Sequence, residues 1–121
     1  MRDLVAVAKA LADESRLRIV GALQDRELCV CQVIELLDLA ASTVSKHLAI
    51  LKQARLIEAR KDGRWMHYRL ADRDVPKVVR TATRWVRDAL ADERLATDDA
   101  KRLQTILRMD PQTLCCRQRA E

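Results

Sequence analysis

Phenylalanine is absent from the 121 residues, tyrosine occurs once and tryptophan twice, so aromatic residues make up 2% of the chain. A core must therefore be built from Leu, Val, Ile and Ala, and a large aromatic-lined ligand pocket is not expected. Only 2 Gly and 2 Pro punctuate the sequence, which favours long helices. No glycine-rich phosphate loop, no Ser/His/Asp set in a recognisable motif and no paired His for a catalytic metal is present, so the chain does not read as an enzyme. No long apolar run occurs either. Charges at Asp3, Lys9, Asp13 and Glu14 interrupt the N-terminal stretch, leaving neither a signal-peptide core nor a membrane span, and a cytoplasmic protein is expected. In a reducing cytosol the four Cys are expected as thiols, buried or ligating metal, rather than as structural disulfides.

What is there is a chain that is 49% hydrophobic and 34% charged, with a formal net charge of +5. That is enough apolar material for one core. The positive balance favours a polyanionic partner, because Lys and Arg that neutralise phosphates release condensed counterions.

The informative stretch runs from Glu27 to Leu56. From about Ala41 onward, Val44, Leu48 and Leu51 fall on one face of a helix while Ser42, Lys46, Ala49 and Gln53 fall opposite. One face is core; the other is small, polar and basic, as a helix that enters the major groove must be. Upstream, Leu28, Val33, Leu36 and Leu37 suggest a first helix, and Asp38-Leu39-Ala40 is short enough for the turn of a helix-turn-helix.

After this unit, two alternating runs flank Asp62-Gly63, a strong hairpin signal. Ile57, Ala59, Met66, Tyr68 and Leu70 face inward in this reading, and the tip gathers Arg60, Lys61 and Arg64 for phosphate or minor-groove contact. Leu4, Val5, Ala8 and Leu11, then Leu17, Ile19, Val20 and Leu23, mark two preceding helices. Asp74-Val75-Pro76 reads as a helix start with a carboxylate cap. That helix should run to about Leu90 with an apolar stripe, Val78 to Ala89, too broad for a small wing to cover, so it is expected to pair with its copy in a dimer. A last helix is expected from Asp98 to Met109, capped by Thr97 and ended by Pro111, followed by a tail without periodicity.

Cys29 and Cys31 are two apart, which on a regular helix sets them roughly 200° around the axis. A soft ion that took both sulfurs would have to bend the start of the first helix of the unit, so metal binding and DNA binding would favour different conformations. Cys115 and Cys116 form a second pair in the tail.

Glu27-Leu28-Cys29-Val30-Cys31, the Ser42-Thr43-Val44-Ser45-Lys46-His47-Leu48 helix and the Asp62-Gly63-Arg64-Trp65 tip together resemble the ArsR-type family of winged-helix metalloregulators, the arsenic repressors in particular, over roughly residues 5–90. The resemblance implies a homodimeric repressor that sits on operator DNA and leaves it when arsenite or antimonite binds thiolates. It assigns metal ligation to Cys29 and Cys31, and groove contact to Ser42, Thr43, Ser45, Lys46 and His47. The position of a third in-motif cysteine is occupied by Ile34, and the usual acidic residue after the second Cys by Gln32. A third sulfur would then come from Cys115 or Cys116, in the same subunit or the partner; alternatively that pair forms a separate soft-ion site. The helix from Asp74 to Leu90 has no His, which argues against the His-and-carboxylate site of zinc-sensing relatives. Alternatives from the same residues are a cadmium or lead sensor, a thiol-redox regulator, and a thiol-rich metal buffer with no DNA role.

The expected architecture is mainly α: a winged helix-turn-helix with a two-stranded β wing, dimeric through its terminal helices. Residues 1–92 would form the DNA-binding and dimerisation domain, and residues 93–121 a C-terminal helix and cysteine-bearing tail.

Overall fold

The computed structural model describes residues 1–120, apart from the side chains of Cys116, Arg119 and Ala120. Helices α1 (Arg2–Leu11) and α2 (Glu14–Ala22) lead into a short strand β1 (Leu28–Cys29), then α3 (Val30–Leu37) and α4 (Ala41–Gln53). Strands β2 (Ile57–Asp62) and β3 (Trp65–Leu70) form the hairpin, and α5 (Lys77–Leu90), α6 (Arg94–Ile106) and α7 (Pro111–Ala120) complete the chain.

The helix boundaries follow from local chemistry. Asp13 caps α2 by accepting from the Arg16 amide at 3.1 Å. Asp38 ends α3 in the left-handed conformation, φ 54°, which Asp tolerates better than most residues and which turns the chain sharply into α4. The wing turns at Gly63-Arg64 between the paired residues Asp62 and Trp65. Gly63 has φ 62°, at the first turn position, where a two-residue hairpin asks for glycine.

Ile19, Leu23, Leu28, Leu36, Leu48, Leu51, Leu56 and Ile57 are fully buried, so α2, α3, α4 and the sheet share one core. Val79 and Val86 of α5, Leu103 and Ile106 of α6 and Leu114 of α7 belong to that same core. Residues beyond 92 therefore fold back onto the body of the molecule, α6 against α2 and α3, α7 against α3.

The expected two-stranded wing is present as β2 and β3 with a third strand added, and three other expectations are corrected. The sheet has three strands in the order β1-β3-β2, all antiparallel, because Leu28 and Cys29 pair with Tyr68 and His67. The carboxylate cap at Asp74 is not used: α5 begins at Lys77 after Pro76, and Asp74 lies outside with φ 53°. The penultimate helix starts at Arg94 rather than Asp98, and the Thr97 hydroxyl bonds back to the Glu93 carbonyl within it. The tail is a helix, not an aperiodic segment. Asp110 accepts from the Gln112 amide at 3.3 Å and the Thr113 hydroxyl at 3.1 Å, with Pro111 at the first helical position, where a missing N–H costs nothing.

Candidate nucleic-acid interface and thiol site

Helix α4 presents two unlike faces. Val44, Leu48 and Leu51 anchor it in the core, and that leaves Ser42, Thr43, Ser45 and Lys46 exposed together. Short hydroxyl side chains with one Lys let a helix approach base edges closely while donating to bases and phosphates.

His47, placed in the same set by the sequence, is drawn partly inward. Its Nδ1 lies 3.1 Å from a guanidinium nitrogen of Arg16. Because Arg only donates, Nδ1 must accept, which assigns the ring proton to Nε2. Arg16 also donates to the carbonyls of Ala10 at 2.6 Å and Lys9 at 3.3 Å, so one side chain ties the end of α1 and the start of α2 to α4. Burial raises the Asp13 pKa, but the Arg16 amide and guanidinium outweigh it and hold the carboxyl below its usual value.

The wing cations divide. Lys61 and Arg64 are exposed at the tip. Arg60 donates instead to both carboxylate oxygens of Glu27, at 2.6 and 3.3 Å, and its hydrogen bond holds Glu27 below the ordinary glutamate range against burial. The cause is the third strand: β1 runs beside β3, which brings Glu27 across from Arg60 on β2. Sequence reasoning missed this pair because a two-residue strand leaves no periodicity to read.

The thiols are distributed unevenly. Cys29 is 2% exposed and Cys31 6% exposed. Cys29 is the extended cap residue before α3, φ −80° and ψ 160°, and Cys31 lies inside the helix. The 200° separation of a regular helix therefore does not apply, since the backbone already bends between the two. Gln32 is buried, and its side-chain oxygen accepts from the Cys29 amide at 2.9 Å, which fixes the bend.

Cys31 is joined to Cys115 of α7 in a disulfide, with Cα atoms 5.5 Å apart across 84 residues of sequence. The expectation of four free thiols is corrected here, and the cause is α7: Leu114 is buried at 2% exposure, which seats the next residue against α3. Cys29 is a buried free cysteine. Among the described residues no cluster of three or more His, Cys, Asp or Glu side chains is gathered that could hold a metal. The Cys116 side chain, named as a ligand from the sequence, lies outside the described residues. His67 pairs in register with Cys29 and stands 3.8 Å from Glu27.

The profile for "Bacterial regulatory protein, arsR family" matches residues 13–59, spanning α2 to β2. The arsenic resistance transcriptional regulator ArsR1 of Pseudomonas putida is 36% identical over 107 residues, 85% of this chain and 81% of that protein. The chain belongs to the ArsR family.

A second relative, the arsenical resistance operon repressor of Escherichia coli, is 46% identical over 68 residues. The match covers 55% of this chain and 58% of the repressor, a little over half its length. Among solved structures, the homodimeric winged helix-turn-helix DNA-binding domain from Mycobacterium bovis is 33% identical with a TM-score of 0.62, covering 78% of this chain and 82% of that one. The fold is thus a winged helix-turn-helix, as in that domain. No helix among the described residues is long and apolar enough to cross a membrane.

Proposed function

We propose that the protein is a homodimeric transcriptional repressor that holds operator DNA with α4 and the wing tip, and releases it when arsenite or antimonite binds its cysteine thiolates. The observation that carries the reading is the meeting of Cys31 and Cys115 at α3, the helix that precedes the recognition helix. Trivalent arsenic and antimony are soft centres that take thiolate ligands. Reduced Cys31 and Cys115 offer two sulfurs in one subunit, and Cys29, two residues before Cys31, is the third in reach. To join them it must leave its place beside β3 and give up the Gln32 bond that holds its amide. Ligation then acts on the start of α3, and DNA affinity falls with it.

A homodimer is supported by apolar side chains that α1 and α5 leave exposed. Leu4 and Val5 of α1 are exposed, as is Trp85 of α5, at 60%. A two-fold protein fits a two-fold operator.

A second reading is favoured by the Cys31–Cys115 disulfide itself. In a thiol-redox regulator the two thiols would give two electrons and two protons to hydrogen peroxide, forming the disulfide and two molecules of water.

Operator binding measured by fluorescence anisotropy on the reduced protein, after excess reductant is removed, separates these readings. Arsenite should release wild type but not Cys29→Ser, Cys31→Ser or Cys115→Ser. Release by peroxide without arsenite, lost in Cys31→Ser and Cys115→Ser but kept in Cys29→Ser, supports the redox reading instead. Release by cadmium or lead alone moves the assignment to those ions, and no DNA binding under any condition sinks both.

A further inference from the structure

Helix α3 is held from both ends by the C-terminal pair of helices. At its start, the Gln118 side chain on α7 donates to the Cys31 carbonyl at 2.9 Å, beside the Cys31–Cys115 link. At its end, where the last carbonyls of a helix lack internal partners and carry its negative pole, two guanidinium groups converge. Arg102 on α6 donates to the carbonyls of Leu36 at 2.8 Å and Glu35 at 2.9 Å. Arg18 on α2 reaches the Leu36 carbonyl at 3.4 Å and is held by both carboxylate oxygens of Asp99 on α6, each at 2.9 Å. Asp99 is 6% exposed, a burial that a carboxylate tolerates only when paired.

The groups that α6 places on the end of α3 lie directly before Asp38, the left-handed residue that turns the chain into α4. Helix α3 has 8 residues, about 12 Å in length, so it moves as one body. A change at Cys115 can therefore reach the turn by two routes, through α3 itself and through the short connection 107–110 that joins α7 to α6 and its Arg102 fork.

We propose that α6 and α7 form a lever that carries the thiol state of Cys115 to the turn before the recognition helix, with Arg102 as its positioning residue on α3. The proposal rests on the thiol-responsive reading above and names the part that transmits the response. Arg102 touches neither the thiols nor the exposed face of α4, so its removal should leave ligand binding and basal DNA binding in place while breaking the link between them.

The test is the ratio of operator affinities without and with saturating arsenite, in reducing buffer, for wild type, Arg102→Ala and Arg102→Lys. Arsenite binding itself is read separately, from thiolate-to-arsenic absorbance and the count of protected thiols. Wild type should lose operator affinity by a factor on the order of 5 to 150, the usual span of allosteric coupling. Arg102→Ala should bind arsenite with unchanged stoichiometry and bind operator normally without it, yet lose less than about threefold when it is added, below that same span. Arg102→Lys keeps the charge but not the fork and should fall between. A wild-type ratio in Arg102→Ala overturns the lever and leaves the metalloid reading intact. A wild type that ignores arsenite overturns the metalloid reading, and the lever with it. If Arg102→Ala lowers basal DNA binding or thermal stability while its ratio stays wild-type, the residue is merely structural and the proposal fails.

Discussion

Arg60 of the wing is bound to Glu27 across the width of the sheet, with both carboxylate oxygens engaged. The pair is exposed on the arginine side, 53% for Arg60 against 29% for Glu27, so it contributes little to stability. Its consequence is for DNA.

Each phosphate contact contributes about 0.9 to the slope of log affinity against log salt. Arg64→Ala at the open tip removes one contact per subunit and should flatten the dimer's slope by about 1.8, and Arg60→Ala by clearly less, because its charge is already spent on Glu27. Glu27→Gln should release Arg60 and steepen the slope. Anisotropy titrations from low to moderate salt would decide it. Equal flattening by Arg60→Ala and Arg64→Ala would mean that the Glu27 pair opens on DNA.

The two faces of α4 give a second prediction. Leu48→Ala empties a fully buried position and should cost about 2–5 kcal/mol of stability, read as a lower urea midpoint. Ser45→Ala lies on the exposed face and should change stability by no more than about 0.5 kcal/mol, while weakening operator binding by about 1–3 kcal/mol if its hydroxyl reads a base. A Ser45→Ala variant with full operator affinity would remove that residue from the reading set.

Asp13 provides a pH signature. Its folded pKa is depressed, so the carboxylate contributes stability that is present above the ordinary aspartate value and is lost as pH falls through the lower folded value. Asp13→Ala removes the α2 cap and should cost about 1 kcal/mol at neutral pH. The gap between variant and wild type should close as acid protonates the wild-type side chain. A gap that stays constant down to the acid transition would show that the cap acts without its charge.

The helices that carry strong periodicity were legible in the sequence. Val44, Leu48 and Leu51 marked the buried face of α4, and Asp62-Gly63 marked the hairpin, although its turn lies one residue later, at Gly63-Arg64, with Asp62 paired to Trp65. What escaped has physical causes. Strand β1 is two residues long, too short for any alternation, yet it decides where Glu27 and Cys29 stand. Helix α7 begins at Pro111, which by sequence reads as the end of the preceding helix, and with Leu114 as the fully buried side chain among its described residues no apolar stripe marks it. The meeting of Cys31 with Cys115, and of Arg18 and Arg102 with the end of α3, are long-range contacts set by how α6 and α7 fold back. No local spacing encodes them.

Those long-range contacts make the last prediction the most direct check on the C-terminal helices. Linking Cys31 to Cys115 closes a loop spanning 84 residues of sequence separation, which removes much of the unfolded chain's freedom; the expected gain is about 2–4 kcal/mol over the reduced protein. Urea unfolding with and without a reducing agent should show that difference in wild type and in Cys29→Ser, because Cys29 is outside the pair. Cys31→Ser and Cys115→Ser should both abolish it. Cys115→Ser should otherwise behave as reduced wild type, since Leu114 still seats α7 against the core. If Cys29→Ser abolishes the redox difference while Cys31→Ser keeps it, α7 closes on the other cysteine of the pair. The start of α3 would then be held through its cap residue rather than through its first turn.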